Sequence, residues 1–198
     1  MQVVLNQFDL NEIKKNPSML FVGEQKNLKY KLYNDLLQKY DNDENNYNCV
    51  IISPYEKTFK GLFGEKYFVY NEYSDDIVRK ILSYSENNNY NNKTFIIFDN
   101  CFNDSDIKNS ELIELLYNAR HYNIQYIMSI ENPYIFPDTL MTNFDYVFIG
   151  SPNTNLNQNL EFVCAEYIDK YDCETFRNIY KNNNGLTMID SKKKLYWL

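Results

Sequence analysis

Five short runs of the chain are rich in β-branched and aromatic residues and are apolar on both faces. They are SMLFV (18–22), NCVIIS (48–53), TFIIFD (94–99), IQYIMSI (124–130) and DYVFIG (145–150). Runs of this length and composition are typical of buried parallel strands. The pattern therefore predicts five strands of a mostly parallel sheet.

The segments between these runs carry apolar residues at helical spacing. Leu28, Leu32, Leu36, Leu37 and Tyr40 follow the first run, Ile77, Ile81 and Leu82 precede the third, and Leu112, Ile113, Leu115 and Leu116 precede the fourth. Strands that alternate with helices predict right-handed βαβ units, with the sheet covered on both sides. The fold class is α/β, and a chain of 198 residues predicts one domain over 1–198.

The last quarter of the chain predicts a different arrangement. Residues 151–159 (SPNTNLNQN) predict a loop, and 160–180 (LEFVCAEYIDKYDCETFRNIY) predict one helix. GLTMID (185–190) and KLYWL (194–198) flank a polar turn and predict a closing β-hairpin.

Composition and charge limit the possible partners. The chain is 44% hydrophobic and contains 19 Tyr and 13 Phe, which indicates a globular protein with an aromatic core. Its formal net charge of -7 excludes a surface that binds nucleic acid over its whole extent. Any contact with DNA would be local.

Cysteine usage and hydropathy indicate an intracellular protein. Cys49, Cys101, Cys164 and Cys173 include no C-x-x-C pair, and the chain has one histidine, so neither a zinc site nor a disulfide framework is expected. A reducing compartment fits this pattern best. No apolar run reaches the roughly 20 residues that span a bilayer, and the first 15 residues lack the order of a signal peptide.

A partial phosphate-binding motif follows the first predicted strand. The pattern G-x-x-x-x-G-K-[ST] keeps its first glycine at Gly23 and its lysine at Lys29, but has Leu28 and Tyr30 in place of the second glycine and the hydroxyl residue. The junction of a strand with a helix is where backbone N–H groups bind phosphate. Lys29 would be a point charge on phosphate, with Lys26 adding positive charge, or else a solvated helix lysine.

A second motif ends the third predicted strand. Four apolar residues followed by Asp99 resemble a Walker B segment, in which the Asp orients magnesium and the next acid activates water. The next residue here is Asn100, and an amide cannot accept a proton from water. Asp104 and Asp106 lie nearby, where we expect loop or helix-capping carboxylates; in an active enzyme, Asp104 or a neighbouring subunit would supply the missing base.

Residues 118–150 carry a family resemblance. Arg120, His121, Tyr122 and Asn123, followed by a strand, a proline-containing turn and the run DYVF, resemble the genome-packaging ATPases of nucleocytoplasmic large DNA viruses, which are FtsK/HerA-type P-loop motors. The resemblance covers nearly the whole chain, with Gly23, Pro137, Asn143 and Asp145 among its matches.

This resemblance implies a fold, cofactors and partners. The fold would be a RecA/FtsK-like P-loop NTPase three-layer sandwich with a mostly parallel central sheet and a C-terminal β-hairpin. The cofactors would be ATP, held at Gly23, Lys26, Lys29 and Tyr30, and Mg²⁺, held by Asp99. The partners would be other copies or a related ATPase in an oligomer, and double-stranded DNA, with no membrane. Arg120 would be a trans-acting arginine, or else a surface or capping residue, and we expect His121 to be a packed or hydrogen-bonded histidine at a helix end. The location would be the virus factory of an infected cell, or the virion.

The residues that differ from the family pattern lie at positions expected to bind the nucleotide or to catalyse its hydrolysis. Glu131 stands where the family has a polar sensor, usually Gln, and Met141 where it has an Arg. A left-handed conformation at Leu28 would cost about 1 to 2 kcal/mol, whereas losing a general base costs about 10² to 10⁴ in rate. We predict a degenerate homologue without ATP hydrolysis, in which Asp99, Asn100 and Glu131 occupy the catalytic positions. The alternative is an active DNA-translocating ATPase with an atypical site.

Overall fold

The computed structural model of the chain describes residues 6–23, 26–41, 47–63, 67–103, 105–150, 156–168, 173–182 and 186–198. Within these residues, the core of the protein is one nine-stranded sheet in the order β1-β9-β8-β7-β2-β6-β5-β3-β4. The strands are β1 (Asn6–Gln7), β2 (Ser18–Val22), β3 (Asn48–Ile52), β4 (Phe68–Tyr70), β5 (Thr94–Asp99), β6 (Ile124–Ile130), β7 (Tyr146–Ile149), β8 (Thr187–Asp190) and β9 (Leu195–Trp197).

All pairings in the sheet are parallel except those of β8, which runs antiparallel to β7 and to β9. β2, the strand before the phosphate-loop motif, lies between β6 and β7. The carboxyl ends of β2, β3, β5 and β6 therefore meet along one edge of the sheet. Ligands of open α/β sheets bind at this edge.

Helices cover both faces of the sheet. They are α1 (Lys26–Asp41), α2 (Glu56–Phe63), α3 (Asp75–Asn87), α4 (Ser110–Asn118), the short α5 (Asp138–Met141), α6 (Leu156–Tyr167) and α7 (Cys173–Asn182). α3 begins where Ser74 accepts a hydrogen bond from the amide of Ile77, and Asp75 and Asp76 in its first turn favour the helix dipole.

Two hydrophobic clusters lie on opposite sides of the sheet because side chains alternate along each strand. On one side, Phe21, Phe95 and Ile127 pack with Leu36 of α1 and Phe59 of α2. On the other side, the strands pack against α3, α4, α6 and α7. Every residue of β2, β5 and β6 is buried, as expected of parallel strands covered on both faces.

The five strands predicted from the apolar runs are confirmed to within one residue at each end. The C-terminal hairpin is also confirmed, although β8 begins at Thr187 rather than at 185, which lies outside the described residues. The prediction of one helix over 160–180 is wrong, because α6 ends at Tyr167 and α7 begins at Cys173. The predicted loop over 151–159 is too long, since α6 begins at Leu156. The short strands β1 and β4 and helix α2 lacked a clear apolar pattern and were not predicted.

A disulfide joins Cys164 of α6 to Cys173 of α7, so the expectation of no disulfide is wrong. The two cysteines are nine residues apart, and they lie in two helices that contact each other. In one continuous helix, residues nine apart would lie about 14 Å from each other, so the predicted helix does not allow this pairing. The expectation of a reducing compartment rested on the same argument and loses that support.

Candidate functional site

The phosphate-loop motif lies where β2 meets α1. Gly23 has φ +128, a conformation that strongly favours glycine. Its amide donates to the carbonyl of Ile130 on β6 (3.0 Å), and its neighbour across the sheet is Gly150 at the end of β7. The glycine is therefore required by the backbone conformation at the end of β2.

α1 begins at Lys26, earlier than the motif predicts. Leu28, Lys29 and Tyr30 are helical, and only 23–25 connect strand to helix, of which 24–25 lie outside the described residues. Leu28 has no left-handed conformation, so the strain considered for it does not arise. Its side chain packs at the edge of the cluster on the α1 side of the sheet.

Lys29 is buried and paired with Asp99. Its side chain is 1% exposed and that of Asp99 is 0% exposed, and Lys29 Nζ lies 2.6 Å from Asp99 Oδ1. The alternative of a solvated helix lysine is therefore excluded. The pair joins the first turn of α1 directly to the end of β5, across the site where the two motifs meet.

Three hydroxyl groups complete the environment of Asp99. Ser53, directly after β3, donates to Asp99 Oδ2 (2.8 Å), and Tyr33 of α1 lies 3.3 Å from Oδ1. Ser129 of β6 is 3.0 Å from the same Oδ1. All three residues are buried. Both oxygens of Asp99 thus have partners from the protein itself, which is how a buried carboxylate avoids a large desolvation cost.

Sequence reasoning placed Asp99 and Lys29 but not these three hydroxyl residues. Ser53 directly follows β3 and Ser129 is the last residue but one of β6, at the same side of the sheet, and Tyr33 lies one turn of helix after Lys29. A polar residue at or next to the end of each of several neighbouring apolar strands is the signal that identifies Ser53 and Ser129. Burial raises the pKa of the Tyr33 phenol well above its usual range, and the charge of Asp99 adds to this effect.

Tyr30 occupies the position of the magnesium-binding hydroxyl but turns toward α2. Its ring packs edge-on against Phe59 with centroids 5.4 Å apart. Burial, and then the charge of Asp99, raise the pKa of Tyr30 to about 12. The phenol therefore stays protonated at neutral pH.

The Mg²⁺ predicted at Asp99 would have to share this carboxylate with Lys29. Magnesium requires near-octahedral oxygen ligands and is usually held by carboxylates and phosphates. Here Asp99 is already neutralised by the ammonium of Lys29. Among the described residues, no group of three or more His, Cys, Asp or Glu side chains is placed to hold a metal ion.

Asn100 and Glu131, predicted at the base and sensor positions, contact each other. Asn100 follows β5 with φ 47, a left-handed conformation that Asn tolerates. Its Nδ2 donates to Glu131 Oε1 (2.7 Å), and its amide lies 3.2 Å from Ser129 Oγ. Glu131 is exposed, unlike Asp99. The structure therefore places an exposed carboxylate next to the buried ion pair.

The other residues considered from the sequence lie apart from this pair. Lys26 Nζ lies 4.8 Å from the centre of the Tyr55 ring. Asp106 accepts a hydrogen bond from the amide of Asn103, as a local capping residue would, and Asp104 lies outside the described residues. Met141 is buried, and its carbonyl accepts a hydrogen bond from Tyr167.

Arg120 and His121 lie in a short 3-10 turn at the end of α4. Arg120 Nη2 donates to both oxygens of Asp145, at 2.6 and 2.7 Å, and so fixes the start of β7. His121 lies at a helix end as expected, but it is exposed and therefore not packed.

A cavity of about 530 Å³ opens beside α1. It is lined by Leu28, Lys31 and Asp35 of α1, by residues around Phe8, and by Leu186 and Leu198 near the C-terminal hairpin. Its size is within the roughly 300 to 1,000 Å³ usual for small-molecule sites. Leu28, which lines the cavity, is the chain neighbour of Lys29. The ammonium of Lys29, however, points away from the cavity and toward Asp99.

The chain is similar in fold to solved P-loop ATPases. It matches the genome packaging NTPase of Sulfolobus turreted icosahedral virus 2, solved with ATP-gammaS, at TM-score 0.67 and 16% identity, over 93% of this chain and 97% of that chain. It matches the pCW3 conjugation coupling protein TcpA at TM-score 0.60 and 13% identity, over 99% of this chain and 64% of that chain. The fold is that of a P-loop NTPase. The three-layer sandwich and the C-terminal hairpin predicted from the sequence agree with it.

Sequence comparison finds viral relatives. No protein-family model matches the chain. It is 25% identical to an uncharacterized protein of Acanthamoeba polyphaga mimivirus over 171 residues, which cover 78% of this chain and 59% of the relative. It is 29% identical to an uncharacterized protein of Invertebrate iridescent virus 6 over 111 residues, 53% of this chain and 43% of the relative. The chain thus spans about half the length of these relatives.

Proposed function

We propose that this protein is a degenerate homologue of the FtsK/HerA-type viral DNA-packaging ATPases, one that keeps the P-loop fold without hydrolysing ATP. It acts as a binding or structural subunit in virus assembly. Residues 1–198 form a single P-loop NTPase-like domain in this proposal. The fold of the viral packaging NTPase and the viral sequence relatives support the assignment of the protein class.

The buried pairing of Lys29 with Asp99 is the observation that best supports the proposed loss of ATP hydrolysis. Hydrolysis by P-loop enzymes uses the lysine on phosphate and the aspartate on magnesium. In this chain the two groups neutralise each other inside the protein, 2.6 Å apart. To use this site, a nucleotide and a metal ion would have to replace both partners of the pair at a position that is almost wholly shielded from water.

The neighbouring substitutions act in the same direction. The phenol of Tyr30 packs against Phe59, and Asn100 cannot act as a general base. Each loss alone lowers a rate by orders of magnitude. Together they support a site that has kept Gly23 for the turn, and Lys29 and Asp99 for the stability of the fold.

The partners follow from the class of protein. We propose a homo-oligomer, or a hetero-oligomer with a related ATPase, with double-stranded DNA as a further partner. The described structural neighbours include a DNA-packaging ATPase and a conjugation coupling protein. No helix within the described part of the chain is long and apolar enough to cross a membrane. The location we propose is the virus factory of the infected cell, or the virion.

A phosphate-release assay tests the loss of hydrolysis. The purified protein with ATP and Mg²⁺ is expected to release phosphate at the rate of the blank, with and without double-stranded DNA. Lys29→Ala is the matched control for a contaminating ATPase. Turnover in the wild type that disappears in Lys29→Ala would overturn the proposal.

ATP binding without hydrolysis is a separate measurement. The cavity beside α1 is large enough for a base and sugar, so calorimetric titration with ATP separates an empty site from an occupied one. If the phosphates reach Lys29, Lys29→Ala removes the heat of binding. If the heat remains in that variant, the nucleotide is held by the cavity alone.

An active ATPase is the second candidate, and Glu131 is the observation that favours it. Its exposed carboxylate lies next to the position of the missing base, held by Asn100 at 2.7 Å. In an active enzyme it would accept the proton of the attacking water. That function requires that Glu131→Gln and Asp99→Ala each abolish a measurable turnover in protein that is still folded.

A further inference from the structure

β4 forms one edge of the sheet and, among the described residues, pairs only with β3. The amide of Ser53 donates to the carbonyl of Tyr70 (2.9 Å), so the backbone groups of Tyr70 face β3. Successive residues of a strand direct these groups to opposite sides. The N–H and C=O of Val69 therefore point away from the sheet, where another strand can pair with them.

The side chains on either side of Val69 are exposed aromatics. Phe68 is 63% exposed and Tyr70 is 38% exposed. Their register with Val50 and Ile52 places both on the face covered by α3. With Tyr84 of α3 they line an open groove of about 240 Å³ at the edge of the sheet.

We propose that β4 pairs antiparallel with β4 of a second copy of this chain, about a two-fold axis that passes through Val69. This register makes the two Val69 residues a hydrogen-bonded pair, which exchanges both N–H···O bonds. Phe68 of one copy then lies opposite Tyr70 of the other, in the non-hydrogen-bonded pairs where side chains are closest.

The choice of a second copy follows from the symmetry of the strand. An aromatic residue stands on each side of the outward-facing Val69, so the strand presents the same pattern in either direction. A two-fold interface needs such a self-complementary surface. The two Phe68–Tyr70 pairs also close the outer side of both grooves.

The exposed area indicates a weak dimer. Aromatic side chains bury about 150 to 250 Å² each, so the exposed parts of Phe68, Tyr70 and Tyr84 amount to roughly 300 Å² per copy. Twice that area is below the roughly 1,200 Å² of stable interfaces. The net charge of -7 on each copy opposes association further. The dimer therefore depends on concentration and becomes stronger in salt.

Site-specific crosslinking tests the register. Val69→Cys places two thiols on the two-fold axis, where the expected Cα separation of about 5.5 Å allows a disulfide. Glu72→Cys is the matched control, because in this register two such residues are on the order of 20 Å apart. We expect a covalent dimer under mild oxidation for Val69→Cys, and only the wild-type background from Cys49 and Cys101 for Glu72→Cys. Equal crosslinking of both variants, or of neither, overturns the proposal.

Charge substitution tests the side-chain pairing by sedimentation. Phe68→Lys and Tyr70→Glu should each weaken dimerisation about tenfold or more, which is the loss of a few favourable contacts. The double substitution should recover dimerisation at low salt, because each new ammonium faces a new carboxylate. A double variant that associates less than either single variant, or a wild type that is monomeric up to roughly millimolar concentration, contradicts the proposal.

Discussion

Two buried carboxylates lie at opposite ends of the parallel strands and differ in how exposed their partners are. Asp145, before β7, is bound by Arg120, Lys14 and the amide of Ser18, and the side chains of both cations are about half exposed (52% and 41%). Asp99, at the end of β5, is bound by Lys29, Tyr33, Ser53 and Ser129, and all of these are buried.

This difference shows how a cluster of charges that stabilises the fold differs from a site that can bind a charged ligand. The Asp145 cluster joins β2, β7 and the end of α4, and its cations still reach water. The Asp99 cluster lies at the edge where a nucleotide would bind, yet its two charges are already matched inside the protein. A site that exchanges ligands needs charges that a ligand can reach, and the Asp99 cluster does not offer them.

Among these variants, we expect the largest loss of stability when the carboxylate of Asp99 is removed. Asp99→Ala leaves Lys29 buried without a counter-charge, so we expect a loss of about 3 to 5 kcal/mol in the free energy of unfolding, measured in urea. Lys29→Met in the same chain should recover a large part of that loss.

The control for this experiment is Asp76→Ala, whose carboxylate is 75% exposed. It should change stability by no more than about 0.5 kcal/mol. If Asp99→Ala lowers the free energy of unfolding no more than this control does, Lys29 is not held in a buried pair with Asp99.

Removing the carboxylate of Asp145 should cost less. Asp145→Ala leaves the buried amide of Ser18 without its acceptor, while Arg120 and Lys14 can turn to water, so we expect a loss of about 1 to 3 kcal/mol. Urea unfolding measures it, with Lys14→Gln as the variant that keeps the carboxylate. A loss larger than that of Asp99→Ala would reverse the comparison.

The pH dependence of Tyr30 is the smallest expected effect and reports on the charge of Asp99. The pKa of Tyr30 is raised from 10.0 to about 12 in the folded protein. Its contribution to stability is therefore fully present below pH 10 and is lost as the pH rises toward 12. Tyr30→Phe should lose less stability than the wild type over this range. Asp99→Asn should lower the pKa of the Tyr30 phenol, measured by ultraviolet titration, and an unchanged pKa would mean that the charge of Asp99 does not reach it.

The sequence predicted the sheet well because parallel strands buried on both faces must be apolar, as β5 and β6 are. It failed at α6 and α7 because the helical pattern of 160–180 continues past Tyr167, where α6 ends. The disulfide between Cys164 and Cys173 joins the two separate helices, so it was missed with them.

The site was predicted in part. Gly23, Lys29 and Asp99 were found because their chemistry fixes their order and spacing along the chain. The burial of Lys29 was left open, since a lysine in the first turn of a helix faces solvent or the sheet depending on packing. Ser53, Ser129 and Tyr33 come together only when three separate elements meet at the edge of the sheet.

A single-turnover assay, with labelled ATP and the protein in excess, tests the central claim most directly. It detects one hydrolysis event per site, so a slow step after hydrolysis cannot hide the chemistry. The account predicts that ATP with Mg²⁺ and double-stranded DNA remains intact in the wild type, as it does in Lys29→Ala. Conversion of ATP to ADP by the wild type but not by Lys29→Ala would contradict it.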